Sequence, residues 1–258
     1  MIEYIELIDD ILSNGTPTED RTGTGTIYKF GGNFRHNMAK GFPLLTTKRV
    51  AWPKVMTELL WFLRGDTNVA FLQEHGAGNI WEPWADADGN LGPVYGAQWM
   101  KQLPAVIQEI KTNPTSRRLI VDSWQIADIP KMRLPPCHMF FQFDACTPGR
   151  LSLQWYQRSV DVGIGLPFNI ASYALLLEMV AYLTDRMPDQ LIASFGNVHI
   201  YNNHVEALKK QSLREPRHLP DLHFEGLPFD ATIYDFRHEN IKLHNYDPHP
   251  GIKLEVSV

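Results

Sequence analysis

Phe140-Phe-Gln-Phe-Asp144, a Thr147-Pro-Gly149 turn, Leu151-Ser-Leu-Gln-Trp-Tyr-Gln157 and the apolar run Ile170–Leu183 decide how this chain folds. The first and third stretches carry aromatic residues with polar interruptions, and a Pro-Gly pair separates them, the pattern of two strands joined by a turn. The last stretch places Ile170, Tyr173, Ala174, Leu177, Val180 and Ala181 at helical spacing. Strands and a long apolar helix in one continuous run imply mixed α and β layers around a shared core. Asn169 immediately precedes the helical run, so capping is its ordinary structural role.

Working outward, Ile2–Ser13 sets Ile5, Ile8, Ile11 and Leu12 on one side of a short helix that stops at Asn14-Gly15, with Pro17 beyond. Asp20-Arg-Thr-Gly-Thr-Gly-Thr26 is a loop before a strand at Ile27–Phe30. Its glycines allow backbone N–H groups to approach a phosphate, or simply make a turn. Trp52–Arg64 reads as a helix apolar on nearly every side, which predicts burial. Glu58 within it is either a rim carboxylate or a buried one of raised pKa able to move protons near neutrality. A loop-rich stretch, 79–96, carries Trp81, Trp84 and Tyr95. Pro104–Thr112 is a surface helix, Leu119–Val121 a strand, and the segment from Phe236 onward strand-like until Tyr246-Asp-Pro-His-Pro250. No repeat, linker or low-complexity segment divides the chain. The expectation is one α+β domain over residues 1–258, a mixed β-sheet packed by helices.

The chain has 258 residues, 24 basic and 29 acidic, for a net charge of −5, so no overall field draws it to nucleic acid or an anionic membrane. An anion must instead be held by a local arginine cluster. The N-terminus lacks a basic signal region, and no apolar run is expected to span a membrane. Two cysteines, Cys137 and Cys146, match neither a disulfide framework nor a zinc pattern, so no metal is expected and a reducing cytoplasm fits. Aromatic residues at 11%, with seven Trp, suggest a pocket for a planar ligand.

Chemistry concentrates around Leu134-Pro-Pro-Cys-His138 and Gln157-Arg-Ser159. The prolines restrict the backbone ahead of the thiol, and Arg158 brings a permanent charge that favours thiolate and binds phosphate. A buried structural cysteine is the plain alternative, and Cys146, beside a turn with no basic neighbour, fits that description better. Arg21, Arg117, Arg118 and Arg158 form the candidate anion site, although paired arginines are commonly just solvated. His199 and Tyr201 share one face of a strand, where they can read sugar hydroxyls or merely line a sheet edge. His138 is expected to be a hydrogen-bonding partner rather than a base.

Read together, these segments resemble thymidylate synthase over nearly the whole chain. The likeness rests on Asp20–Thr26, Glu58-Leu-Leu-Trp-Phe-Leu63, Gly92-Pro-Val-Tyr-Gly96, Ser116-Arg-Arg118, Leu134–His138, Tyr156-Gln-Arg-Ser-Val-Asp161, Gly165–Tyr173, Arg214-Glu-Pro-Arg217 and Tyr246–Pro250. The resemblance implies a homodimer joined through its sheets, with Arg117 and Arg118 donated across the interface. It implies dUMP and 5,10-methylenetetrahydrofolate as substrates and Cys137 as the nucleophile at C6. Arg21, Arg158 and Ser159 join the phosphate grip, Asn169 reads uracil, His199 and Tyr201 contact ribose, Glu58 moves protons at O4, and Tyr95 assists loss of the C5 proton. Asp161 is implied to meet the pterin, over a shelf of Ile80, Trp81, Trp84, Leu134, Ile164 and Phe168. The closing segment Glu255-Val-Ser-Val258, with Ser257 among the folate contacts, resembles a tail that shuts over folate.

Five positions depart from the pattern: Ala51 replaces a histidine near the folate tail, and Gly163 replaces a bulky apolar residue beside the shelf. Asn197 replaces an aspartate, Gln125 an asparagine after Trp124, and Met139 a smaller residue. Gly163, Ala51 and Asn197 motivate a dUMP hydroxymethylase, in which water takes the place of hydride, as the alternative to reductive methylation. A Cys/His hydrolase and a non-catalytic nucleotide-binding protein are the readings from other classes.

Overall fold

The computed structural model describes residues 1–257. Helix α1 (Ile2–Asn14) leads into β1 (Thr16–Thr18) and β2 (Thr26–Asn37), followed by α2 (Trp52–Leu63), α3 (Ala70–Glu74), α4 (Gly96–Trp99) and α5 (Leu103–Thr112). Three strands then follow, β3 (Ile120–Asp122), β4 (His138–Asp144) and β5 (Arg150–Asp161), before the long helix α6 (Gly165–Leu183). Strand β6 (Met187–Tyr201), helix α7 (Val205–Ser212) and the hairpin strands β7 (Asp221–Phe224) and β8 (Ile241–His244) complete the fold.

Six strands form one mixed sheet in the order β1-β2-β6-β5-β4-β3. All neighbours are antiparallel except β5 and β6, whose parallel pairing requires the crossover that α6 supplies. The α+β reading holds. Burial alternates along β5, with Leu151, Leu153, Trp155 and Gln157 facing inward. Helices cover that inner face. On the other side Ile120 and Phe140 are exposed and Tyr156 stacks on Phe140, so the sheet keeps an open apolar face.

The sequence reading needs five corrections here. The loop at 20–26 does not follow the first helix directly: β1, a three-residue strand, pairs with β2 across it and makes it a hairpin turn. Strand β2 runs well past Phe30, because its antiparallel register against β6 continues unchanged from Phe30–Asn197 through Gly32–Phe195 to Asn37–Gln190, with Gly31 between them at φ +86°. Helix α5 is not wholly a surface element, since Leu103, Val106, Ile107 and Ile110 are buried. Helix α6 begins at Gly165 rather than Ile170, as Pro167 is tolerated in a first turn. Its 19 residues are long and apolar enough to cross a membrane, contrary to expectation, yet most of that length is buried inside the protein as the central core helix.

Candidate active site

The β4–β5 hairpin brings Cys137 to Arg158. His138 pairs with Gln157 in the ladder, and Arg158 N–H donates to Cys137 O at 2.8 Å. The guanidinium donates from Nε to Pro136 O at 2.8 Å and from Nη2 to Pro135 O at 2.9 Å, leaving Nη2 4.0 Å from Cys137 Sγ. Trp124 covers its face at 5.5 Å. The two prolines therefore do more than stiffen the backbone: their carbonyls aim the arginine at the thiol. A β-bulge at Met139 interrupts the ladder just after this point, and bulges of this kind re-aim side chains.

Burial pushes the Cys137 thiol up, while Arg158 and then Arg21 pull it back without winning. The expectation of a thiolate-enriched cysteine is thus not met in the single chain, because desolvation outweighs the two cations it feels. Cys146 is corrected as well. It is exposed rather than structural, and a hydrogen bond with Asp144 pushes its thiol up, with the charge of Arg117 only a weaker opposing pull.

Tyr95 precedes α4 with φ +22°, a conformation that costs roughly 1–3 kcal/mol for a side-chain-bearing residue. It is held there by Phe62 and Trp81, and its hydroxyl accepts Cys137 N–H at 2.7 Å. His138 stacks on Tyr95 at 4.1 Å, and its Nδ1 lies 2.8 Å from the Tyr173 hydroxyl. Burial depresses its pKa to about 3, so the ring is neutral and no base for the thiol. Glu58 is buried at 7% exposure and accepts Trp81 Nε1–H at 2.8 Å. Burial raises its pKa to about 7, with the Trp81 bond pulling partway back, so of the two sequence readings the buried carboxylate of raised pKa, not the rim one, is what the fold contains.

Asn169 is not an N-cap. Ile164 holds that position, and Asn169 sits in the second turn of α6. Its Oδ1 accepts Gln157 Nε2–H at 3.0 Å, and Gln157 is itself fixed by Ser159 O and Trp155 Nε1–H. Gln157 was missed as a site residue; its signal is a polar side chain at an inward-facing strand position, where burial demands partners. Parallel pairing of β5 with β6 sets Ser159 opposite Asn197 and Asp161 opposite His199. His199 and Tyr201 share a face, with ring centroids 5.2 Å apart. Asn197 Oδ1 lies 2.8 Å from His199 Nδ1, so the amide retains the acceptor that an aspartate there would offer. Burial lowers the His199 pKa, against the opposing pull of Asp161 and Asp20.

Asp161 Oδ1 accepts the Gly163 and Ile164 N–H groups at 2.8 and 3.3 Å. Lys48, also missed, is buried, donates from Nζ to Gly163 O at 2.5 Å, and has its pKa lowered to about 8 by burial. Nothing in its sequence spacing marks it. Trp81 is buried, while Ile80, Trp84, Leu134 and Phe168 pack partly buried against the core and Ile164 is half-buried. An apolar, partly exposed surface with aromatic rings is the kind of lining that a flat heterocycle such as a pterin would need, with a carboxylate for its amide groups. Ser257 Oγ lies 3.2 Å from Thr24 Oγ1, which docks the closing segment on the 20–26 loop. Val258 lies outside the described residues.

Arg21 is exposed in its loop but close enough to act on the thiol. Arg117 and Arg118 are not brought to Cys137 within one chain. Both are exposed and line a separate cavity of about 260 Å³ with Glu109, Asn113 and Ser116. Ala51 is exposed at the start of α2 and makes no capping bond. Gln125 donates to Asp122 Oδ2 at 3.0 Å. Among the described residues no group of three or more His, Cys, Asp or Glu could hold a metal. Compared with known families, residues 2–258 match the family model described as thymidylate synthase.

Proposed function

The chain belongs to the thymidylate synthase family, and on that premise we propose that it makes dTMP from dUMP by reductive methylation through a covalent bond to Cys137. The family acts on dUMP, with methylenetetrahydrofolate as its one-carbon co-substrate. In this reading the Cys137 thiolate bonds to C6 of the uracil, and the displaced electron pair moves onto the C5–C4–O4 system. Asn169 meets N3–H and O4, and Glu58 near neutrality can hold or release the proton that O4 requires. Tyr95, tied to the cysteine backbone, is the group set to accept the C5 proton by way of water. When bound against Asp161 and the shelf, methylenetetrahydrofolate supplies the one-carbon unit and then the hydride, and expulsion of Cys137 from C6 releases dTMP.

The observation that carries the reading is the Cys137 thiol 4.0 Å from an Arg158 guanidinium anchored on two prolyl carbonyls. Because two cations do not offset the burial of the thiol, the reading includes a homodimer in which Arg117 and Arg118 of the partner subunit complete the anion site. The open apolar sheet face carrying Phe140 and Ile120 supports that pairing. A reducing cytoplasm is proposed as the setting, since the nucleophile must remain a free thiol.

Hydride transfer is preferred to hydroxymethylation because Gly163 does not leave a wet gap: His204 and Leu254 crowd the space a side chain there would take. The test is incubation with dUMP and methylenetetrahydrofolate. dTMP with stoichiometric dihydrofolate supports the proposal, while 5-hydroxymethyl-dUMP without dihydrofolate replaces it with the hydroxymethylase. Failure of 5-fluoro-dUMP and folate to form an adduct at Cys137 refutes both.

A further inference from the structure

Gly163 lies where the family resemblance leads to a bulky apolar side chain, and the structure explains the glycine. A Cβ there would sit 2.6 Å from His204 Nδ1 and 3.3 Å from both Asp161 Oδ1 and Leu254 Cδ1. The first distance is shorter than side-chain carbons tolerate, so any substitution must expel the imidazole. His204 is itself fully buried at 0% exposure, in the turn that follows Tyr201 and opens α7. Its Nε2 is 2.8 Å from Glu255 O, and since a carbonyl only accepts, Nε2 carries the hydrogen. Its Nδ1 has no hydrogen-bond partner among the described residues and lies 3.9 Å from Asp161 Oδ1.

We propose that His204 is a positioning residue of the folate side, joining the C-terminal strap (residues 251–257) to the Asp161 loop, with Gly163 and Leu254 as the matched pair that makes room for it. The proposal rests on the reading of Asp161 as the pterin contact. One imidazole lies between the two parts of that subsite: Nε2 bonds the strap carbonyl, and the unpartnered Nδ1 edge fills the space beside Gly163, 3.9 Å from the Asp161 carboxylate. Leu254 supplies, from the strap, apolar bulk that the chain lacks at 163. The folate wall is thereby built from two distant segments and stays dry only while the strap is seated. Thr24 and Ser257 fasten the same strap two residues further along, on the loop that carries Arg21. His204 touches no reacting atom in this scheme; it sets where the strap rests.

The test compares His204→Ala, His204→Gln and Leu254→Ala with the unaltered enzyme. The quantities measured are the dUMP dissociation constant, the folate KM, and the ratio of dTMP to 5-hydroxymethyl-dUMP. Loss of the strap hydrogen bond in His204→Ala should raise the folate KM about three- to tenfold and leave dUMP affinity within about twofold. Product should shift toward 5-hydroxymethyl-dUMP as water reaches the C5 methylene. His204→Gln, whose amide can donate to Glu255 O, should recover much of the loss. Leu254→Ala should shift both folate KM and product ratio in the same direction. A purely structural histidine would lower stability without moving the product ratio. Wild-type folate KM and product ratio in both alanine variants, with dUMP binding intact, overturn the proposal. Should His204→Ala not fold, Leu254→Ala decides alone, since the strap residue is outside the core. An unaltered enzyme that makes no dTMP defeats the functional reading instead, before any variant is compared.

Discussion

Replacing Glu58 with Gln separates the cost of burying its carboxylate from the use made of it. Burial lifts the Glu58 pKa from an ordinary 4.5 to about 7, and unfolding returns it to the ordinary value. Across that window the folded chain keeps a proton that the unfolded chain has lost. The stabilising contribution is therefore complete below pH 4.5 and gone above about pH 7, so stability falls as pH rises. At 1.36 kcal/mol per unit, the interval corresponds to about 3 kcal/mol. Gln keeps an oxygen for Trp81 Nε1–H and cannot ionise. Urea unfolding of both proteins at one fixed concentration, in case subunits associate, should give nearly equal stabilities near pH 4.5. By about pH 8 the variant should be more stable by about 3 kcal/mol. Glu178, also raised to about 7 by burial, is common to both proteins and cancels in the difference. A stability difference that stays flat with pH would refute the argument. The same variant should lose on the order of 10²–10⁴ in kcat if Glu58 moves the proton at O4.

Arg158→Ala should push the Cys137 thiol still higher, because the stronger of its two opposing cations is gone. The inflection in the rate of iodoacetamide alkylation against pH must then move upward; an unmoved inflection means Arg158 does not tune the sulfur. Gly96→Ala should destabilise by roughly 1–3 kcal/mol or more in urea unfolding, since its Cβ would lie 2.3 Å from Phe62 O, a backbone atom that cannot swing aside. For the proposed dimer, Cys137→Ser and the double variant Arg117→Glu/Arg118→Glu should each be nearly inactive alone. Mixed and reassociated in equal amounts, they should recover about a quarter of wild-type activity, because half the dimers are mixed and each has one intact site. No recovery, with mixed dimers demonstrated by native mass spectrometry, would place those arginines outside the partner's site.

Much of the candidate site was legible because it depends on local covalent order. Pro135-Pro136-Cys137 and the strand carrying Arg158 lie within a single hairpin, whose register follows from one short turn. His199 and Tyr201 share a face because strand side chains repeat every second residue. Asn169 was misplaced because a helix start depends on cooperative pairing, and Pro167, which reads as a boundary, is acceptable in a first turn. Gln157 and Lys48 escaped notice because their importance arises from burial, which a residue acquires from neighbours distant in the chain.

The linear order of residues by itself determined the main strand and helix types, through short-range periodicity, and which side chains carry nucleophilic, anionic and cationic chemistry; the family was legible separately, in the ordered motifs that resemble it. Tertiary structure alone decided the electrostatics. Glu58 becomes an acid near neutrality, and Cys137 a reluctant thiol, only when many remote segments exclude water from them. It also decided that Gly163 is a filled notch rather than a gap, since His204 and Leu254 reach it from 41 and 91 residues away in the chain. Solvent exclusion and close packing are properties of the assembled volume, and no local stretch of chain contains them.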